Sequence, residues 1–177
     1  MLKLALICTL FLLAYPASAQ IWDDQDKIDL GAGYAWPTKG FGVKPGFTFV
    51  AEPHHFVSKN FAMGARFEGA FLGYRARYYD ELYSFFGSSC ITAEVYFARK
   101  GFRPFIGAGG GLFTRHYVFE SYDYDGYYSA AGFGTIKFGA FGRVGFEIGP
   151  VRLSGSYNMI GNNFSYASFT LGYVASY

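Results

Sequence analysis

Apolar and polar residues alternate along most of this chain with a period of two, the spacing that puts successive side chains on opposite faces of a β-strand. In IDLGAGYAW the apolar set is Ile28, Leu30, Ala32, Tyr34 and Trp36, with Asp29 on the other face. VKPGFTFVA repeats the pattern with Val43, Pro45, Phe47, Phe49 and Ala51. FAMGARFEGAFLGY sets Phe61, Met63, Ala65, Phe67 and Phe71 against Arg66 and Glu68, and ITAEVYF sets Ile91, Ala93, Val95 and Phe97 against Thr92 and Glu94. FIGAGGGLF places Ile106, Ala108 and Leu112 opposite Gly107, Gly109 and Gly111. KFGAFGRVGFEI separates Phe138, Ala140, Val144, Phe146 and Ile148 from Lys137, Phe141, Arg143 and Glu147, and VRLSGSYNM separates Val151, Leu153, Tyr157 and Met159 from Arg152, Ser154, Ser156 and Asn158. With the terminal SFTLGYVASY this predicts eight strands, each of about the length that crosses a bilayer when tilted.

The connections alternate too. After the second, fourth and sixth strands they are short: SKN, ARKGFR and Gly149-Pro150. After the third, fifth and seventh they read as longer polar-aromatic loops, RARYYDELY, HYVFESYDYDGYYSAAG and IGNNFSY, while the first, PTKG, is brief. Short turns on one rim and long loops on the other is the plan of an outer-membrane barrel, and an even strand number returns both termini to the short-turn, periplasmic rim. The sixth and seventh strands test their own register. Pairing Ile148 with Val151 sets Glu147 against Arg152, Phe146 against Leu153, Arg143 against Ser156 and Phe141 against Asn158, and a one-residue slip would break every match.

Composition decides which face looks where. Aromatic residues make up 22% of the chain, beside 24 glycines and 16% charge. A soluble domain of this size could not bury so much ring area. So much apolar surface also excludes disorder, and after the leader no apolar run reaches 18 residues, which excludes a helical membrane protein. The aromatic face therefore turns to lipid and the polar face inward, and the sheet must close because an unpaired edge in hydrocarbon strands its backbone groups. Eight strands leave room only for side chains inside. The expected inward charges are Arg66, Lys137, Arg143 and Arg152 against Asp29, Glu68, Glu94 and Glu147, a balanced set that plugs the lumen, with Gly107, Gly109 and Gly111 giving Phe141 and Arg143 space.

MLKLALICTLFLLAYPASAQ has the layout of a secretory signal peptide, with Lys3, an apolar run from Leu4 to Tyr15 and a small-residue site cut after Ala19. Residues 1–19 are thus leader, 20–25 a short N-terminal segment and 26–177 one barrel domain. Cys8 lies inside the apolar run and not after it, so no lipid anchor is expected there. Cys90 is then alone, so no intramolecular disulfide forms. Fifteen basic side chains against thirteen acidic ones give nucleic acid nothing to bind.

The segment RPFIGAGGGL (Arg103 to Leu112), the turn-and-strand FVSKNFAMG and the terminal aromatic strand resemble the bacterial outer-membrane β-barrel domain family, relatives of the OmpA, OmpX and OmpW barrels, over about residues 26 to 177. The resemblance implies a place in the outer membrane, contact with its lipids and lipopolysaccharide, and recognition by the barrel assembly machinery of a terminal signal made by Phe169, Leu171, Tyr173 and Tyr177. The terminal strand must also close on IDLGAGYAW.

The chemistry is sparse. His54 and His55 are adjacent on a strand and point oppositely, so no metal site is expected, and both are read as rim residues; His116 begins the longest loop. Lipid A deacylase barrels carry His and Ser two apart on one face, whereas here His54 meets Phe56, and His116 meets Thr114 and Val118. Palmitoyltransferase barrels have an amphipathic N-terminal helix, and QIWDDQDKID is short and acidic. DYDG lacks the remaining ligands of a calcium loop. The tyrosine-rich loop with Tyr122, Tyr124, Tyr127 and Tyr128 is the best surface for a partner. The sequence thus reads as an all-β, eight-stranded antiparallel up-and-down transmembrane β-barrel. It is expected to be a monomer with no enzyme activity, no cofactor and a structural or surface-interaction role. The alternatives are a narrow channel for small apolar molecules, OmpW-like, and a lipid A-modifying barrel enzyme.

Overall fold

The computed structural model describes residues 26–38, 43–76, 79–122, 128–161 and 165–176. They form eight strands: β1 (Asp26–Pro37), β2 (Val43–Ser58), β3 (Phe61–Ala76), β4 (Tyr79–Tyr96), β5 (Phe102–Tyr122), β6 (Tyr128–Ile148), β7 (Val151–Met159) and β8 (Tyr166–Ser176). Each pairs antiparallel with the next, and β8 returns to β1 to close the barrel. The seam matches Ile28 with Ala175, Gly31 with Gly172 and Trp36 with Ala167, which pairs the backbone groups along the edge that closure was expected to hide.

The β6–β7 register is the expected one, with Ile148 opposite Val151, Glu147 opposite Arg152, Arg143 opposite Ser156 and Phe141 opposite Asn158. The turn between them places Gly149 at φ 58° immediately before Pro150. Positive φ first and a proline's negative φ second is the order of a type II′ turn, which explains how a proline fits this tight hairpin. Pro45 sits at a register shift between Lys44 and Gly46, where a residue without an N–H leaves no gap in the ladder.

The long loops require correction. RARYYDELY and HYVFESYDYDGYYSAAG are mostly strand: β3 runs to Ala76, β4 starts at Tyr79, and the β5–β6 ladder continues to Tyr122 opposite Tyr128. Among the described residues, 75–76, 79–83, 116–122 and 128–132 are strand, so their polarity does not mark loop. A ladder is satisfied by backbone groups whatever the side chains carry, and Tyr, Phe and Val favour it. The two rims therefore differ by strands that continue past one edge, β5 and β6 being 21 residues each.

Burial is inverted relative to a water-soluble protein. Phe47, Ile91 and Phe138 are 67%, 70% and 85% exposed, while Arg66, Glu94, Glu147 and Arg152 are at most 2% exposed. An apolar belt outside and charges inside is the arrangement of a barrel that spans a bilayer.

Candidate functional site

The wall glycines create the space for the lumen. On the inner face of β5, a side chain at Gly107 would stand 3.2 Å from Arg143 Nε, and one at Gly109 would stand 2.5 Å from the Phe141 ring, so the large residues of β6 lie across glycines of β5.

Arg152 is the centre of the half nearer the short turns. Its guanidinium reaches Asp29 Oδ2 at 3.2 Å, Glu147 Oε1 at 2.9 Å and Glu94, and it stacks 4.1 Å from the ring centre of Phe105. The Tyr96 hydroxyl accepts from Arg152 at 3.1 Å and donates to Glu147 at 2.7 Å. Beside this, Arg143 grips both oxygens of Glu52 and reaches Glu94 at 2.6 Å, and Thr92 donates to Glu52 at 2.7 Å. Arg103 closes the base, 3.5 Å from Glu147 and stacked 4.5 Å over Tyr96. A charge removed from water costs several kcal/mol unless opposite charges and hydrogen bonds replace its solvent. Glu52, Glu94 and Glu147 each have at least two such partners here, and the arginines gain ring faces as well.

A separate pair lies further in. Arg66 meets Glu68 at 3.1 Å, donates to Ser156 at 3.1 Å and lies 4.5 Å over Phe141, while Thr48 and Ser168 donate to Glu68 at 3.0 and 3.3 Å. Beyond it comes an apolar layer including Leu72, Phe86, Phe113, Ile160 and Tyr166. Arg115 caps that layer, donating to Ser84 at 3.1 Å with its guanidinium 4.9 Å over Phe86.

Of the eight expected lumen charges, Asp29, Glu94, Arg143, Glu147 and Arg152 meet in one network, and Arg66 with Glu68 form the second pair. Lys137 is half-buried and lies higher, near Phe113 and Arg115. The expectation missed Glu52, Lys27, Arg103 and Arg115, all buried inside. Glu52 carried the signal: it shares the inner parity of β2 with Thr48. His54 is a correction, since it is buried in the lumen and not at the rim. Gly64, its cross-strand neighbour, leaves the space for its side chain. His55 faces outward, its Nδ1 2.6 Å from Asp26 Oδ1. His116 stands within β5 and faces outward beside Phe85, ring centres 6.5 Å apart, so it does not open a loop. Cys90 is buried.

Phe169 and Leu171 of the expected assembly signal point outward and Tyr173 is half-buried, while Tyr177 lies outside the described residues. Of the expected partner loop, Tyr122 and Tyr128 pair as the last rung of β5–β6, and Tyr124 and Tyr127 lie outside the described residues. Among the described residues no group of three His, Cys, Asp or Glu side chains could hold a metal ion.

No protein-family model and no curated protein sequence matches the chain. Solved structures do. The outer membrane protein OprG from Pseudomonas aeruginosa aligns over 87% of this chain and 97% of its own, with TM-score 0.56 at 9% identity. The chain has the fold of the small eight-stranded outer-membrane barrels. Neisserial surface protein A aligns over 86% of this chain and 97% of its own, with TM-score 0.54 and 16% identity. Ail, the attachment invasion locus protein of Yersinia pestis, solved with the heparin analogue sucrose octasulfate, aligns over 85% and 99%, with TM-score 0.51 and 15% identity.

Proposed function

We propose that this protein is a non-catalytic monomeric barrel of the bacterial outer membrane, sealed by its own side chains, with a structural or surface-interaction role. The observation that carries the reading is the buried network around Arg152 and Arg143. Its side chains come from β1, β2, β4, β6 and β7 and meet across the lumen, and opening a path means separating buried opposite charges. Closure of β1 on β8 completes the ladder within one chain, which supports the monomer. Neisserial surface protein A and Ail are by name surface and attachment proteins of this fold, which directs the search for a partner to the long-strand rim around Tyr122 and Tyr128.

The channel for small apolar molecules is disfavoured because the apolar layer at Phe86 and Phe113 is itself filled, with Arg115 capping it and ion pairs beneath. Lipid A modification is disfavoured because His54 is enclosed in the lumen, and His116 faces outward with Phe85 against it. Purified barrel in planar bilayers should give no steady conductance steps; reproducible steps would overturn the sealed-lumen reading. Incubation with lipid A and mass spectrometry should leave the acyl number unchanged.

A further inference from the structure

Three exposed cations gather at one corner of the short-turn rim. Lys59 lies in the β2–β3 turn, and Arg99 and Lys100 lie in the β4–β5 turn. One asparagine ties these turns together. Asn60 donates from Nδ2 to the Tyr96 carbonyl at 2.7 Å, and its own carbonyl accepts the Tyr96 N–H at 2.8 Å. Its Oδ1 accepts from Arg99 Nε at 3.2 Å, which holds that guanidinium against the turn that bears Lys59. Asp26, the exposed acid described on this rim, starts β1 and is engaged by His55.

Directly above this corner the outer wall is apolar. Val57, Phe97 and Phe102 are 59%, 63% and 55% exposed, and Phe102 packs on Phe146 with ring centres 5.1 Å apart. Cations immediately beneath an exposed aromatic belt fit a molecule with an anionic head and apolar tails. A soluble partner could match the charges but would leave the belt uncovered.

We propose that this corner binds anionic phospholipids of the leaflet facing the periplasm, with the phosphodiester on Lys59, Arg99 and Lys100 and the acyl chains against Phe97 and Phe102. The proposal rests on the reading that the short-turn rim faces the periplasm. Each cation near a lipid surface is worth about a fivefold preference for anionic headgroups at low salt, and the preference decays as salt screens it.

The test is native mass spectrometry of the barrel ejected from nanodiscs of phosphatidylcholine with a minor fraction of phosphatidylglycerol. The parent should retain phosphatidylglycerol over phosphatidylcholine by at least ~5-fold. The triple variant Lys59→Gln/Arg99→Gln/Lys100→Gln should fall to parity, with heat-modifiable gel migration showing that it still folds. Asn60→Ala keeps every charge but releases the clamp, and should lose part of the preference. No enrichment in the parent, or equal enrichment in the triple variant, overturns the site. Nanodiscs present the lipid on both faces, so orientation is tested separately by labelling intact cells carrying Lys100→Cys or Tyr124→Cys in a Cys90→Ser background. Labelling at Lys100→Cys and not at Tyr124→Cys would refute the periplasmic assignment and leave the nanodisc result standing.

Discussion

Replacing Arg152 by methionine keeps most of the side-chain stem and removes the charge at the centre of the plug. Three acids lose a partner, but not equally. Glu94 keeps Arg143 at 2.6 Å and Glu147 keeps Arg103 at 3.5 Å, whereas Asp29 has its ion pair with Arg152. Asp29 is therefore the stranded group. At 3.2 Å and an effective dielectric near 20, the lost attraction is about 5 kcal/mol before desolvation is subtracted. The expected destabilisation of Arg152→Met is about 3–5 kcal/mol, the range found when one partner of a buried pair is removed.

Reversible urea unfolding in lipid vesicles, followed by the fluorescence of outward-facing Trp36, measures the loss. The double variant Arg152→Met/Asp29→Asn should recover at least half of the loss at pH 7, because the amide carries no charge to strand. A penalty below ~1 kcal/mol, or no recovery in the double variant, would refute the network as described.

Two further outcomes follow from the wall and the seam. Gly109→Ala drives a methyl into the Phe141 ring, 2.5 Å away, and should cost about 1–3 kcal/mol in the same unfolding assay. Gly142→Ala, with nothing within 4 Å, should be neutral or stabilising by up to ~1 kcal/mol, and equal losses at the two sites would contradict the inner packing. Deleting Tyr177 should reduce the heat-modifiable barrel recovered from membranes more than deleting Gln20, and equal yields would count against a terminal assembly signal.

Strand number, the lipid-facing set, the closing pair β1–β8 and the β6–β7 register could be read along the chain. Each depends on parity, and parity is local: residue i and residue i + 2 share a face whatever the rest of the molecule does. The lengths of β3 to β6 could not be read that way, because a polar strand above the membrane and a polar loop have the same composition. Parity also says that Asp29, Glu52, Glu94, Arg143 and Arg152 point inward, but not that they meet. They come from β1, β2, β4, β6 and β7, and which of them reach one another across the lumen is set by the tilt and stagger of the closed sheet. The same stagger decides at which level of the lumen His54 and Lys137 stand. What the sequence determined was the face of each residue, and what only the tertiary structure decided was its partner.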